Sequence, residues 1–227
     1  MSEYSVAAEI RHRGLADLRQ KIMTACDTSL FDHRPDVPER VKEMYPHILE
    51  DCQLQYSRFK LAVAKVLQPR TILEVGVGWG ISANAFFHGC PSAEFIGIDN
   101  ATDGMHPSEV LRQCHGWALG SSDDFPSFSH PELFGNTPID LIHIDGGHGL
   151  EQKARDIVKA LEAEPEWILV DDVSNVMVAA GTFAGLYQAH ACPDINMLMF
   201  EHSHTGNLLI HANRQPVEYR GLEIRRV

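Results

Sequence analysis

Two short apolar segments end in ionisable side chains whose types and spacing could do chemistry. The segment IHIDGGHGLE carries Asp145 and His148, and WILVDDVSN carries Asp171 and Asp172. Three clustered carboxylates repel one another, each pair by about 3 kcal/mol at roughly 5 Å and an effective dielectric of about 20. Because a hard divalent cation removes that cost, we predict Asp145, Asp171 and Asp172 as metal ligands. The alternatives are proton uptake by the carboxylates and their exposure to water.

His148 has the side-chain type and the position of a general base. Imidazole titrates near neutral pH and can take a proton from a hydroxyl group within hydrogen-bonding reach. Gly146 and Gly147 precede it and allow a cofactor or substrate to approach the backbone closely. We therefore predict His148 and Asp145 as the catalytic residues. The alternative is a histidine that caps the next helix or lies on the surface.

A glycine-rich segment, EVGVGWGIS, follows the first predicted strand. Gly76, Gly78 and Gly80 permit a sharp turn close to a ligand, and the helix that follows offers free N–H groups. The spacing is GxGxG rather than the GxGxxG of dinucleotide-binding proteins, and the acid Glu74 lies where a diphosphate would be repelled. Both features count against NAD. Asp99 ends the second predicted strand, where a carboxylate can accept hydrogen bonds from both hydroxyls of a ribose.

The elements around these residues predict how they are brought together. After residue 69, strands alternate with helices, which is typical of an α/β fold with a parallel sheet covered on both faces. The predicted strands are 71–75, 94–99, 116–119, 139–145, 167–172, and a terminal hairpin of 196–201 and 207–211. Predicted helices between them are 81–88, 107–113 and 150–163. Ligands bind beyond the carboxyl ends of such strands, so we expect the acids after the fourth and fifth strands to lie side by side.

The chain divides into a predicted N-terminal helical cap and a ligand-binding domain. Residues 1–68 have helical periodicity, and residues 69–227 form one compact unit. We expect the cap to cover the site and to offer a surface for a homo-oligomer. Tyr56 and Arg58, just before the last predicted helix of the cap, are further candidates to face the cofactor pocket.

Charge and cysteine content restrict the partners of the protein. The formal net charge of the 227 residues is -12, which disfavours nucleic acid and anionic membranes. The five cysteines form no CxxC pair, which favours reduced thiols over disulfides or a zinc site. The N-terminus has no apolar signal segment, and no run approaches the roughly 20 apolar residues of a membrane span. We therefore predict a cytoplasmic protein whose partner is a small molecule.

The order of the glycine loop, the acid after the second strand and the polar turn GSSDD resembles the class I S-adenosylmethionine (SAM)-dependent methyltransferases. The resemblance covers the chain from residue 70 to its end. It implies a Rossmann-like sheet of seven strands, the last inserted antiparallel by a hairpin. It also implies that Gly76–Gly80 holds the methionine part of SAM, Asp99 the ribose, and Ser122 and Asp123 the adenine. Glu74 belongs to the same implied cofactor site.

The Asp-x-x-His after the fourth strand and the acidic pair after the fifth are similar to the Mg-dependent O-methyltransferases of the macrolide-sugar type. That type has Glu-Asp where this chain has Asp171-Asp172. The catechol type has Lys in place of His148 and Asp-Asn after the fifth strand, and the cephalosporin-modifying branch shares the outline. The resemblance implies SAM and Mg²⁺, or another divalent ion, as cofactors. It implies methyl transfer to a hydroxyl of a sugar or phenolic natural product.

Three alternatives to this function remain open from the sequence. The first is a metal-independent methyltransferase that acts on nitrogen or carbon, with structural acids. The second is an NAD-dependent oxidoreductase, and the third is a catalytically silent SAM-binding module.

Overall fold

The computed structural model describes residues 3–31, 51–100, 114–129, 137–189, 195–201 and 205–212. The helices of this part are α1 (Glu3–Asp27), α2 (Asp51–Leu67), α3 (Ile81–Gly89), α4 (Leu150–Glu162) and α5 (Val176–Gln188). The strands are β1 (Thr71–Val75), β2 (Glu94–Asp99), β3 (Gly116–Leu119), β4 (Leu141–Ile144), β5 (Trp167–Asp171), β6 (Asn196–Phe200) and β7 (Asn207–His211). The predicted helix at 107–113 and residues 32–50 of the predicted cap lie outside the described residues. None of the described helices has both the length and the apolarity that crossing a membrane requires.

The strands form one sheet in the order β3-β2-β1-β4-β5-β7-β6. The first five of these are parallel, and β7 runs antiparallel to both β5 and β6. This confirms the predicted α/β sheet of seven strands with an antiparallel terminal hairpin. β5 ends at Asp171, one residue earlier than predicted, because Asp172 has a φ of 59°. An extended strand cannot contain that left-handed conformation.

Both faces of the sheet are buried, which explains why its central strands are continuous apolar runs. On one face, Leu73 and Ile142 share a core with Ile157 of α4. On the other face, Ile72 packs in a core with helices α1, α2 and α3, and Phe59 of α2 is fully buried there. The described part of the predicted cap therefore packs directly on the sheet. The division of the chain at residue 68 stays a prediction.

A stripe of polar residues crosses the sheet on the face that α2 covers. Side chains alternate between the two faces along a strand, so Glu74 of β1 and His143 of β4 lie on the same face as Ile72 and Leu141. The parallel register pairs Glu74 with His143, and the antiparallel register pairs Asp171 with Asn207. Four buried polar residues thus lie under α2, near the carboxyl ends of the parallel strands.

Candidate functional site

The glycine loop joins β1 to α3 in a conformation that glycine adopts easily. Gly76, Gly78 and Gly80 have φ values of 86°, 52° and 71°, in the left-handed region. A Cβ on Gly76 would lie 2.6 Å from the backbone of Asp145 and Gly146. A Cβ on Gly78 would meet no described atom within 4 Å. The loop is therefore packed against the end of β4 on one side and open to a ligand on the other.

Asp99 lies beside this loop, at the end of the neighbouring strand β2. Its Oδ2 accepts a hydrogen bond of 2.7 Å from the backbone N–H of Gly78. β1 and β2 are parallel, with Val75 paired to Ile98, so the carboxylate reaches the same edge of the sheet as the loop. Its contact with a ribose stays a prediction.

Glu74 is a fully buried acid at the base of the glycine loop. Its Oε1 accepts a hydrogen bond from Ser82 and lies 2.8 Å from Nδ1 of His143. Its Oε2 is buried without a hydrogen-bond partner among the described residues. Burial raises the pKa of Glu74 well above its usual value, although the hydrogen bond from Ser82 lowers it. A cationic ligand group beside Oε2 would offset this cost, so the site fits a cofactor that carries an ammonium group.

Ser122 and Asp123 lie in a short 3-10 helix that follows β3. Asp123 accepts two hydrogen bonds of 3.0 Å from Arg155 of α4, and these lower the pKa of Asp123. Lys159 donates to the backbone carbonyl of Ser122 at 2.7 Å. The turn is thus tied to α4, and its predicted contacts with adenine stay a prediction.

Asp145, His148 and Asp172 meet at the carboxyl ends of β4 and β5. One possible ligand atom from each lies within 4.8 Å of the other two, because β4 and β5 are parallel neighbours. Nε2 of His148 lies 2.7 Å from Oδ2 of Asp172, and the imidazole is 55% exposed. The structure thus brings these three sequence-predicted residues together and leaves the imidazole accessible to a ligand.

The two carboxylates of this group are in surroundings that favour their protonated forms. Burial raises the pKa of Asp145 well above its usual value, and the charge of Asp171 raises it further. Oδ2 of Asp145 accepts a hydrogen bond of 2.7 Å from the hydroxyl of Tyr56. Burial, followed by the charge of Asp171, also raises the pKa of Asp172. A cation near these oxygens would therefore offset the free-energy cost of ionising the two buried carboxyl groups.

Asp171 precedes Asp172 in the chain, but its carboxylate has different partners. The side chain is 1% exposed, and its Oδ2 lies 3.2 Å from Nζ of Lys60. Its Oδ1 accepts hydrogen bonds from the backbone of Asp172 at 2.9 Å and from the hydroxyl of Thr205 at 3.2 Å. Asp171 therefore interacts with α2, whereas Asp172 interacts with His148. The predicted role of Asp171 as a metal ligand stays a prediction.

Lys60 and His143 continue this buried network towards the glycine loop. Lys60 is fully buried, and its Nζ lies 3.0 Å from Nε2 of His143 and also donates to Asn207. Because Nε2 accepts from Lys60, the ring proton must lie on Nδ1, which donates to Glu74. Burial lowers the pKa of His143 well below its usual value, and Lys60 lowers it further. A neutral His143 thus connects Glu74 to Lys60, and through Lys60 to Asp171.

No protein-family model matches the chain, and no curated protein sequence is significantly similar to it. Solved structures with the same architecture include the O-methyltransferase TomG from Streptomyces achromogenes, involved in tomaymycin synthesis and bound to SAM. It matches with a TM-score of 0.58 and 16% identity over 82% of this chain and 93% of its own. The SAH-bound methyltransferase PaMTH1 from Podospora anserina matches with a TM-score of 0.56 and 17% identity over 86% and 95%. The chain has the class I SAM-dependent methyltransferase fold.

A third solved structure, the O-methyltransferase from Bacillus cereus in complex with SAH, matches with a TM-score of 0.50 and 16% identity over 86% of this chain and 89% of its own. At such identities the likeness establishes the fold alone. The class I methyltransferase fold places the carboxyl ends of β1 and β4 side by side at its centre. The glycine loop and Asp145 both lie at these ends, as the sequence predicted.

The sequence analysis missed Lys60, and it named Tyr56 as a candidate without predicting its contact with Asp145. Tyr56 donates to Asp145, whereas Arg58, the other candidate of the cap, donates to the backbone carbonyl of Phe31 at 3.0 Å. A contact of either residue with the cofactor stays a prediction. A signal for Lys60 was present, because it interrupts the apolar segment FKLAVA of a predicted helix. A lysine there is buried, and a buried lysine requires an acidic or polar partner. Its partners could not be named without the tertiary structure.

Proposed function

We propose that the protein transfers the methyl group of SAM to a hydroxyl group of a small molecule. One observation carries this proposal. Asp145 belongs to the group with His148 and Asp172. Its backbone oxygen lies 2.6 Å from the position that a Cβ on Gly76 would occupy. A methyl donor on the loop would therefore lie beside groups that can accept a proton. Holding two reactants together in this way can supply about 7–11 kcal/mol of the barrier.

The glycine loop and the acids around it would hold the cofactor. The open side of Gly78 allows close approach of a ligand, and the N-terminus of α3 faces the loop. The unpartnered Oε2 of Glu74 would accept a hydrogen bond from the ammonium group of SAM, and Asp99 would bind its ribose. We assign Ser122 and Asp123 to the adenine. When bound, SAM supplies an electrophilic methyl group.

His148 would act as the general base towards the acceptor hydroxyl. If its Nε2–H donates to Asp172, the imidazole presents Nδ1 as the proton acceptor. Asp172 then holds the ring in one orientation and stabilises the imidazolium that forms when the proton arrives. The exposure of His148 allows an acceptor to reach it from solvent. General base catalysis of this kind contributes about 10²–10⁴ to a rate.

Asp145 and Asp172 would hold Mg²⁺ or another divalent ion. Both are carboxylates in surroundings where burial raises their pKa, and oxygen ligands suit hard cations. Such an ion supplies Lewis-acid stabilisation of negative charge on oxygen. His148 lies within 4.8 Å of both acids, so the base and the ion would serve the same acceptor.

Charge and the structural neighbours support a small-molecule acceptor. A net charge of -12 disfavours nucleic acid, and TomG is an O-methyltransferase of tomaymycin synthesis. We propose a sugar or phenolic hydroxyl of a natural product as the acceptor. We also propose that the protein is cytoplasmic and forms homo-oligomers through its N-terminal helices.

Calorimetric titration of the purified protein with SAM, SAH and NADH tests the cofactor. We expect SAM and SAH to bind and NADH not to bind, and binding of NADH alone would contradict the proposal. Transfer of labelled methyl from SAM to a panel of sugar, phenolic and amine acceptors then tests the reaction. Labelling confined to amines or carbon atoms would contradict O-methylation.

A metal-independent methyltransferase is the second candidate, because the His148–Asp172 pair can accept a proton without an ion. Chelation with EDTA distinguishes the two candidates. Metal dependence predicts that turnover stops in EDTA and returns with Mg²⁺, while SAM still binds. Full turnover in EDTA, with no metal detected by elemental analysis, would favour the metal-independent reaction.

A further inference from the structure

Lys60 lies next to Asp171, at the centre of the buried polar network under α2. It lies on α2, and its side chain is fully buried. Its three N–H groups match three partners, namely Asp171, His143 and Asn207. Its Nζ also lies 4.7 Å from the centre of the Tyr56 ring, and Tyr56 in turn binds Asp145. One helix turn thus contacts both Asp145 and Asp171.

Both carboxylate oxygens of Asp171 already have partners among the described residues. Lys60 is paired with Oδ2, while the backbone of Asp172 and the hydroxyl of Thr205 donate to Oδ1. By contrast, Asp172 uses its Oδ2 for His148 and is 20% exposed. Asp172 is therefore accessible from solvent, whereas Asp171 is enclosed by protein.

We propose that Lys60 is a positioning residue that acts as a permanent counter-ion and withholds Asp171 from the divalent ion. The inference rests on the proposed function, because it concerns the ion that Asp145 and Asp172 would hold. A lysine beside the site weakens the attraction of the carboxylates for a divalent ion and limits the carboxylate ligands to two. The chain would thus bind its ion weakly enough for exchange with solvent.

Removal of Lys60 should release Asp171 and strengthen ion binding. In Lys60→Met, the site gains a net negative charge and one more carboxylate, so its affinity for Mn²⁺ should rise by about tenfold or more. In Asp171→Asn, affinity should change by less than about threefold, because the wild-type ion does not use that carboxylate. The double variant Lys60→Met/Asp171→Asn should lose the gain. A lysine that merely supports the fold would not raise metal affinity when removed.

Lys153 offers a matched control. It is a second fully buried lysine, on α4, and its Nζ has no hydrogen-bond partner among the described residues. Burial lowers the pKa of Lys153, and Asp145, Asp172 and Asp171 are among its charged neighbours. Lys153→Met removes a buried lysine near the same carboxylates without releasing a carboxylate oxygen. Any gain in Mn²⁺ affinity should therefore be smaller than in Lys60→Met and should persist when Asp171→Asn is added. Lys60→Arg, which keeps the charge, should leave affinity near wild type.

The experiment is calorimetric titration of the whole protein and its variants with Mn²⁺, with SAM binding measured in parallel. Circular dichroism and thermal unfolding show which variants are folded. A gain in Lys60→Met that disappears in the double variant supports the inference. Equal or weaker Mn²⁺ binding by folded Lys60→Met overturns it.

Asp171→Asn tests the inference even if Lys60→Met does not fold. A loss of Mn²⁺ affinity of about tenfold or more in this variant would make Asp171 a ligand and overturn the inference. Absence of Mn²⁺ binding by every variant also overturns it, and SAM binding in that case leaves the methyltransferase proposal standing. Absence of SAM binding contradicts the proposed function itself.

Discussion

The two halves of the site are built in different ways. The half that we propose for the cofactor, at the ends of β1 and β2, depends on backbone conformation within one short segment and on the hydrogen bond from Gly78 to Asp99. The half that we propose for the acceptor, at the carboxyl ends of β4 and β5 and the start of β7, depends on side chains from distant segments that meet in the interior. Lys60, Asp171 and Asn207 illustrate this, because they come from α2, β5 and β7.

The two halves should therefore be sensitive to different substitutions. A backbone-built site is sensitive to any Cβ in the wrong place, because hard contacts and left-handed φ values leave no room to relax. A site built from buried charges is sensitive to the loss of a partner, because the remaining charge is left uncompensated.

Gly76→Ala should have the largest effect. Its Cβ would lie 2.6 Å from the backbone at the end of β4, at a φ of 86°, so strain and overpacking together should cost roughly 2–5 kcal/mol of unfolding free energy. SAM binding should become undetectable by calorimetry. Gly149→Ala is the matched control, because a Cβ there meets no described atom within 4 Å and the φ is -77°. Equal stability and SAM affinity in the two variants would contradict a tightly packed cofactor loop.

His148→Ala tests the acceptor half. We expect kcat to fall by about 10²–10⁴ while SAM affinity stays near wild type, since the imidazole serves proton transfer only. Any rise of kcat with pH that depends on this base should disappear in the variant. A folded His148→Ala protein with wild-type kcat from pH 6 to 9 would exclude the base.

Glu74→Gln tests the buried acid that joins the two halves, through the pH dependence of stability without cofactor. The pKa of Glu74 is raised in the folded protein, so its contribution is fully present below the unfolded value of 4.5 and is lost as pH rises towards the folded value. Wild type should therefore lose up to about 1.4 kcal/mol per pH unit in that window relative to the variant. Urea unfolding of both proteins from pH 5 to 8 measures this. Parallel stability curves would show that Glu74 is not protonated on burial.

Asp123→Ala should have the smallest effect. If Asp123 contacts adenine, SAM affinity should fall by about two- to tenfold, whereas Arg155→Ala, which removes the partner of Asp123, should change it by less than about twofold. Calorimetry with SAM compares the two variants. Equal losses would mean that Asp123 acts only by tying the turn to α4.

The fold and the position of the glycine loop could largely be predicted from the sequence, because their signals are local. The apolar strands, the glycine spacing and the terminal hairpin each lie within a few consecutive residues, and the order of strands and helices restricts the topology. The sequence also placed Asp145, His148 and Asp172 near one another, since the ends of parallel neighbours meet at one edge. It could not separate Asp171 from Asp172, because the left-handed φ of Asp172 is not visible in an Asp-Asp pair.

The partner of each buried charged group depends on the tertiary structure. Composition and periodicity place Lys60 on a helix, but its pairing with Asp171 joins α2 to a strand more than a hundred residues later. Long-range pairs of this kind depend on how a helix packs across a sheet, and no local pattern records that packing. The sequence therefore determined the glycine loop, through the spacing of residues with left-handed φ values, whereas the packing of α2 on the sheet decided that Lys60 pairs with Asp171.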